Sequence, residues 1–284
     1  MTQLIREYLG SDGRTAYLDR RSTILLGLAA SVAGTRSWAQ DDSRFISMQK
    51  AFEISRQVRE FAVNANLEEI DSVIYQFIDF ETASRKETLA IMEGLGFFQT
   101  VETAKQYVAS ISEVLPSDFP VNYDEQVIAS IDVVIDEIAS QGLPLAPDPA
   151  DVVPLPVVSV PPEEPTVDND FVVIVDIILE TLGISVGGDS LAVQIIDSSP
   201  EIKSAVEKLL TAASSKDWEG VVELAEEIFK LFVSSRVGAV ILKEGARKLS
   251  FRLALRAVPG VGWIYCAAAF LISLKKNYKR FSFA

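Results

Sequence analysis

Residues 122–142, NYDEQVIASIDVVIDEIASQG, carry the choice between an α and a β fold. Isoleucine and valine dominate the stretch and would suit a pleated strand. Yet Val127, Ile128, Ile131, Val134, Ile135 and Ile138 recur at steps of three and four. Such steps line one face of a helix, whereas a half-buried strand needs strict alternation. Asn122 answered by Glu125 predicts a cap, and Gly142 with Pro144 predicts the stop.

The same period runs back toward the N-terminus. Residues 44–65 carry a stripe of Ala51, Ile54, Val58, Phe61, Ala62 and Ala65. Asn66 with Glu69 predicts the opening of a second helix, whose Ile70, Val73, Ile74, Phe77 and Ile78 face one way. A third is expected over 84–95, stopped by Gly94 and Gly96, and a fourth over 100–115, with Ala104, Tyr107, Val108, Ile111 and Leu115 inward. Residues 40–142 are therefore expected to form an acidic bundle of about five helices.

Eight of the twelve prolines fall between Leu143 and Val167, at a spacing no helix tolerates. Residues 143–167 read as a semi-rigid, extended linker whose valines can dock on a neighbouring surface. Residues 168–284 read as a second helical domain. The apolar run Phe171–Leu182 is expected as a buried helix rather than a strand, and Asp189 opens a short helix through Ile196. Ser199-Pro200-Glu201 starts the next helix, with proline where its missing N–H costs nothing. Residues 217–234 present Trp218, Val221, Val222, Ala225, Ile228, Phe229 and Phe232 as one stripe. The fold class expected is all-α, two bundles joined by the linker.

Composition removes whole classes of chemistry. The 284 residues contain no histidine and one cysteine, so a Ser-His-Asp triad, a histidine-ligated metal and an internal disulfide are all excluded. No cofactor is implied. A formal charge of -14 and a pI near 4.6 disfavour nucleic acid as a partner. Hydrophobic residues make up 49% of the chain and charged ones 23%, which places it among folding sequences.

The first forty residues have three parts: a polar segment ending at Arg20-Arg21, an apolar run from Ile24 to Gly34, and small residues Ser37 and Ala39 ahead of Gln40. The run is too short to span a bilayer, which needs ~20 residues. The paired arginines before a mildly apolar run, with Arg36 after it, resemble a bacterial twin-arginine (Tat-type) signal peptide over residues 1–39. Thr23 departs from that pattern, which prefers a bulky apolar residue there. The resemblance implies recognition by export machinery, passage of an already folded chain, cleavage after Ala39, and a periplasmic or secreted product.

Charge is segregated along the chain. Residues 40–235 hold 36 acidic and 11 basic side chains; residues 236–284 hold one acid, Glu244, and ten bases. Such asymmetry governs what each part can approach. Residues 236–257 place Ala239, Leu242, Ala246, Leu249 and Leu253 on one helical face, with Arg247, Lys248, Arg252 and Arg256 among the residues elsewhere. Pro259-Gly260 breaks the chain, and the apolar segment 263–274 ends in Lys275, Lys276, Lys279 and Arg280. The pattern predicts a helical hairpin over 236–280.

Four readings compete for that hairpin. It can be a core element whose bases meet the acidic body, or a peripheral attachment to an anionic membrane in which Trp263 and Tyr265 sit at the interface. It can be an anchor in the inner membrane, since 257–274 is apolar and followed by lysines. The break at 257–262 also weakly resembles helix breaks in bacterial polymorphic toxins and pore formers. Taken as a contact surface, Arg247, Lys248, Arg252, Arg256, Trp263, Tyr265, Lys275, Lys276, Lys279 and Arg280 would meet an anionic membrane or an acidic protein.

Enzymatic chemistry would rest on carboxylates, as in glycoside hydrolysis. Asp132 with Asp136 and Asp176 with Glu180 stand one helical turn apart, but such pairs read as a solvated face. Cys266, among apolar neighbours, reads as inert. The expectation is a non-catalytic interaction or scaffold protein of the bacterial envelope, with a secreted membrane-active toxin or effector second and a carboxylate-dependent cell-wall hydrolase third.

Overall fold

A computed structural model describes residues 42–114, 123–142, 145, 157–158, 167–181, 199–234 and 261–284. Among them the chain forms eight α-helices and no strand. They are α1 (Asp42–Asn64), α2 (Ile70–Gly94), α3 (Val101–Val114), α4 (Glu125–Ser140), α5 (Val167–Thr181), α6 (Pro200–Ser214), α7 (Trp218–Ser234) and α8 (Val261–Asn277). A short 3-10 turn, Tyr278–Arg280, follows α8.

The all-α expectation holds, and the stripes read from the sequence are the buried faces. Val127, Ile131, Val134 and Ile138 of α4 are buried, as are Val58 and Ala62 of α1 and Val221, Val222, Ala225, Ile228 and Phe229 of α7. The run after Val167, ambiguous by period, is the helix α5, with Ile174, Val175, Ile177, Ile178 and Leu179 buried.

The termini differ in detail. Asp124 caps α4, its carboxylate accepting from the Val127 N–H at 3.0 Å, in place of Asn122, which lies outside the described residues. Asn66 serves a turn ahead of α2, accepting from the Glu68 N–H, rather than capping the helix. The expected second and third helices are one, α2, because no glycine or proline interrupts residues 79–84, and the buried face of Ile70, Ile74 and Phe77 runs on at the same steps through the polar residues Glu81, Ser84 and Thr88 to Met92. It ends where expected, with Gly96 at φ 75° in the left-handed region that suits glycine. At α3, Thr100 and Thr103 bond reciprocally, each hydroxyl accepting from the other's backbone N–H.

The helices before and after the Pro-rich stretch share one core within residues 46–284, where the sequence suggested a bundle on either side. The reason is α8. It is apolar all round, so no single face can satisfy it, and it packs against α2 from the first half as well as α5 and α7 from the second. Tyr123, ahead of α4, stacks on Trp263 of α8 with ring centroids 5.0 Å apart. The Pro-rich stretch also touches α8. Val158 is buried, its N–H donates to Ser273 Oγ at 3.0 Å, and its carbonyl accepts from Asn277 Nδ2 at 2.8 Å. Docking of a linker valine, expected from composition, is seen at this position.

Candidate functional site

The chemistry-bearing groups gather where the end of α1 meets α7 and α8. Arg59 extends from α1 toward α7 and meets three carboxylates spaced along one helix: Glu219 at 2.5 Å, Glu226 at 3.4 Å and Glu223 at 3.8 Å. Glu219 and Glu223 are exposed, but the Glu226 side chain is only 1% exposed. Its position explains this: Glu226 falls four residues after Val222 and three before Phe229, in register with the apolar stripe. Burial pushes its carboxyl up to about 7, against the attraction of Arg59 and with the repulsion of Glu223 and Glu219. That is the protonation behaviour of a general acid, but a carboxyl closed to solvent meets no substrate.

One turn beyond Arg59, α1 ends against Lys275. This lysine is 1% exposed, and its Nζ donates to the carbonyls of Ala62, Val63 and Ala65 at 2.9, 2.8 and 2.8 Å. Carbonyls at a helix C-terminus lack intrahelical partners and carry the negative end of the helix dipole, so an ammonium there is doubly favoured. Its Nζ also sits 4.9 Å from the Trp218 ring centroid. Burial pushes Lys275 down to about 8, and the three carbonyls oppose that push by favouring the charged form.

Two further polar pairs tie α8 and the chain end to the body. The hydroxyls of Tyr265 on α8 and Thr88 on α2 lie 3.0 Å apart, buried. Asp170 of α5 accepts from the Ser282 N–H at 3.1 Å and from its hydroxyl. Arg85 and Glu81 form a buried ion pair within α2.

Set against the contact surface read from the sequence, three of its members are corrected. Trp263, Tyr265 and Lys275 are buried and engaged within the fold, so they offer nothing to a membrane or a partner. The physical reason is that a helix without a polar face gains most by complete enclosure, which the sequence-based hairpin left half open. Lys276 and Arg280 are half-buried and Lys279 is exposed. Arg20, Arg21, Ala39, Arg247, Lys248, Arg252 and Arg256 lie outside the described residues.

No helix among the described residues is long and apolar enough to cross a membrane, and α8 at 17 residues spans only about 25 Å. Among the described residues no cluster of side chains could hold a metal ion. Asp136 pairs with Lys105 at 2.8 Å on an exposed face. Glu226 is absent from the sequence reading, and Lys275 enters it only as a surface cation, although each is a charged residue in register with apolar neighbours, which is the signal that finds such groups. No family model matches the chain, and no curated protein or solved structure does either.

Proposed function

We propose that this chain is an exported, non-catalytic helical interaction protein of the bacterial envelope, docking through its cationic C-terminal residues on an anionic membrane surface. The observation that carries the reading is the segregation of charge, ten bases against one acid in residues 236–284 beside a strongly acidic body. Enclosure of α8 narrows the mode of docking, since its apolar residues are already committed to the core. Attachment is then electrostatic, by Arg247, Lys248, Arg252 and Arg256 together with Lys276, Lys279 and Arg280, each contributing ~1 kcal/mol near anionic lipid. The twin-arginine-like leader supports delivery to the periplasm or beyond by the export machinery.

Co-sedimentation of the full chain with vesicles tests this. Phosphatidylglycerol-rich vesicles should retain the chain and neutral phosphatidylcholine vesicles should not. Replacing Arg247, Lys248, Arg252 and Arg256 by glutamine should release it. Equal binding to both vesicle types contradicts the reading; absence of vesicle binding with capture by an acidic protein moves the partner from lipid to protein.

A second reading, a membrane-active effector, draws on one feature: an apolar helix enclosed by amphipathic ones is a store of membrane-compatible surface. Its length weighs against spanning, because the hydrocarbon core is ~30 Å thick. Dye release from the same vesicles separates the two, since surface docking leaves them sealed.

A further inference from the structure

We propose that the seam between α1 and α7 is a proton-sensitive clasp: protonation of Glu226 seats α1 on the body, and ionisation of Glu226 loosens it.

The geometry sets up the competition. One guanidinium, Arg59, faces three carboxylates on consecutive turns of α7. It donates to Glu219 at 2.5 Å, which leaves Glu226 with a buried Oε1 that Arg59 Nε approaches only to 3.4 Å. With all three ionised the seam carries more negative than positive charge, and the buried member is the least compensated. Protonating Glu226 removes that buried charge while Arg59 keeps its bond to Glu219.

Few other groups bear on Glu226 among the described residues. On its own helix Glu219 and Glu223 repel it, and Lys230 is engaged by Asp124, the cap of α4, at 3.5 Å. From α8, Lys275 is turned to the α1 carbonyls and the Trp218 ring. The charged residues of α6, Glu201, Lys203, Glu207 and Lys208, are all exposed. Burial, the largest influence on this carboxyl, acts in the same direction as its two acidic neighbours and places its titration near neutrality. The sign follows: the folded chain holds a proton that the unfolded chain has released, so stability falls as pH rises through this range.

Thermal unfolding of the full chain from about pH 5 to about pH 8, with Glu226→Gln beside the wild type, reads the effect. The wild-type midpoint should fall by several degrees over that range relative to the variant. Hydrogen exchange, corrected for its intrinsic pH dependence, should rise several-fold in residues 59–64 of the wild type and stay level in Glu226→Gln. Carbon-13 titration of the wild-type Glu226 carboxyl keeps the proposal testable should the variant fail to fold. Parallel profiles, unchanged exchange in α1, or a Glu226 carboxyl that titrates in the ordinary glutamate range overturns it.

Discussion

The Nζ of Lys275 lies 2.8 Å from the carbonyl oxygen of Ala65, joining the end of α8 to the end of α1 across 210 residues of chain. Methionine at position 275 fits the stem but donates nothing, so the carbonyls of Ala62, Val63 and Ala65 would lose their donor in a dry setting. Orphaned buried groups cost ~1 to 3 kcal/mol each, offset in part by the relief of burying no charge. We expect Lys275→Met to lower stability by about 2 kcal/mol, with the loss of exchange protection concentrated after Arg59. Urea unfolding and amide exchange of this variant provide the check.

Removing the charge at position 226 should have the opposite effect. A carboxyl that titrates near 7 when folded and near its ordinary value when unfolded costs the folded chain about 3 kcal/mol once fully ionised. Glu226→Gln should therefore be more stable than the wild type at about pH 8 by up to this amount, and the difference should vanish toward about pH 4. Denaturant midpoints at the two pH values measure it.

Buried phenols offer a third check. Burial pushes the hydroxyls of Tyr107 and Tyr265 well up, and Thr88 holds the latter at 3.0 Å. Both should stay protonated in the folded chain through the range in which exposed tyrosines ionise, near about pH 10. Ultraviolet titration should show this as a step in phenolate absorbance deferred to unfolding. Tyr265→Phe should cost about 1 kcal/mol.

At the chain end, Asp170 accepts twice from Ser282. Hydrogen bonds to a charged acceptor contribute ~1.5 to 3 kcal/mol. Asp170→Asn should lower stability within that range and release the residues after Tyr278, read as increased proteolysis at the C-terminus.

The helices were legible in the sequence because each announces its buried face locally: the three-and-four spacing in α4 or α7 needs no knowledge of what lies opposite. Local signals also mislead locally. Residues 79–84 read as a break in what is one helix, because Glu81 and Ser84 continue its buried face with polar side chains, which an apolar period passes over. The C-terminal reading was half right. Residues 263–274 are the enclosed core helix, one of the readings open to the sequence, but Trp263, Tyr265 and Lys275 turned out to have partners in Tyr123, Thr88 and the end of α1. Each of those partners is more than a hundred residues away, and period alone carries no information about such pairings. The Arg59–Glu226 pairing was hidden for the same reason.

The sole cysteine gives the most direct test of the account. Cys266 sits in the middle of α8 with no exposure to solvent. If α8 stays enclosed while the cationic residues do the docking, a maleimide added to the native full chain should fail to label Cys266 both in buffer and on phosphatidylglycerol-rich vesicles. Labelling should appear only when denaturant is added. Rapid labelling in buffer contradicts the enclosed helix, and labelling that appears on vesicles alone contradicts docking by surface charge, because α8 would then have left the core.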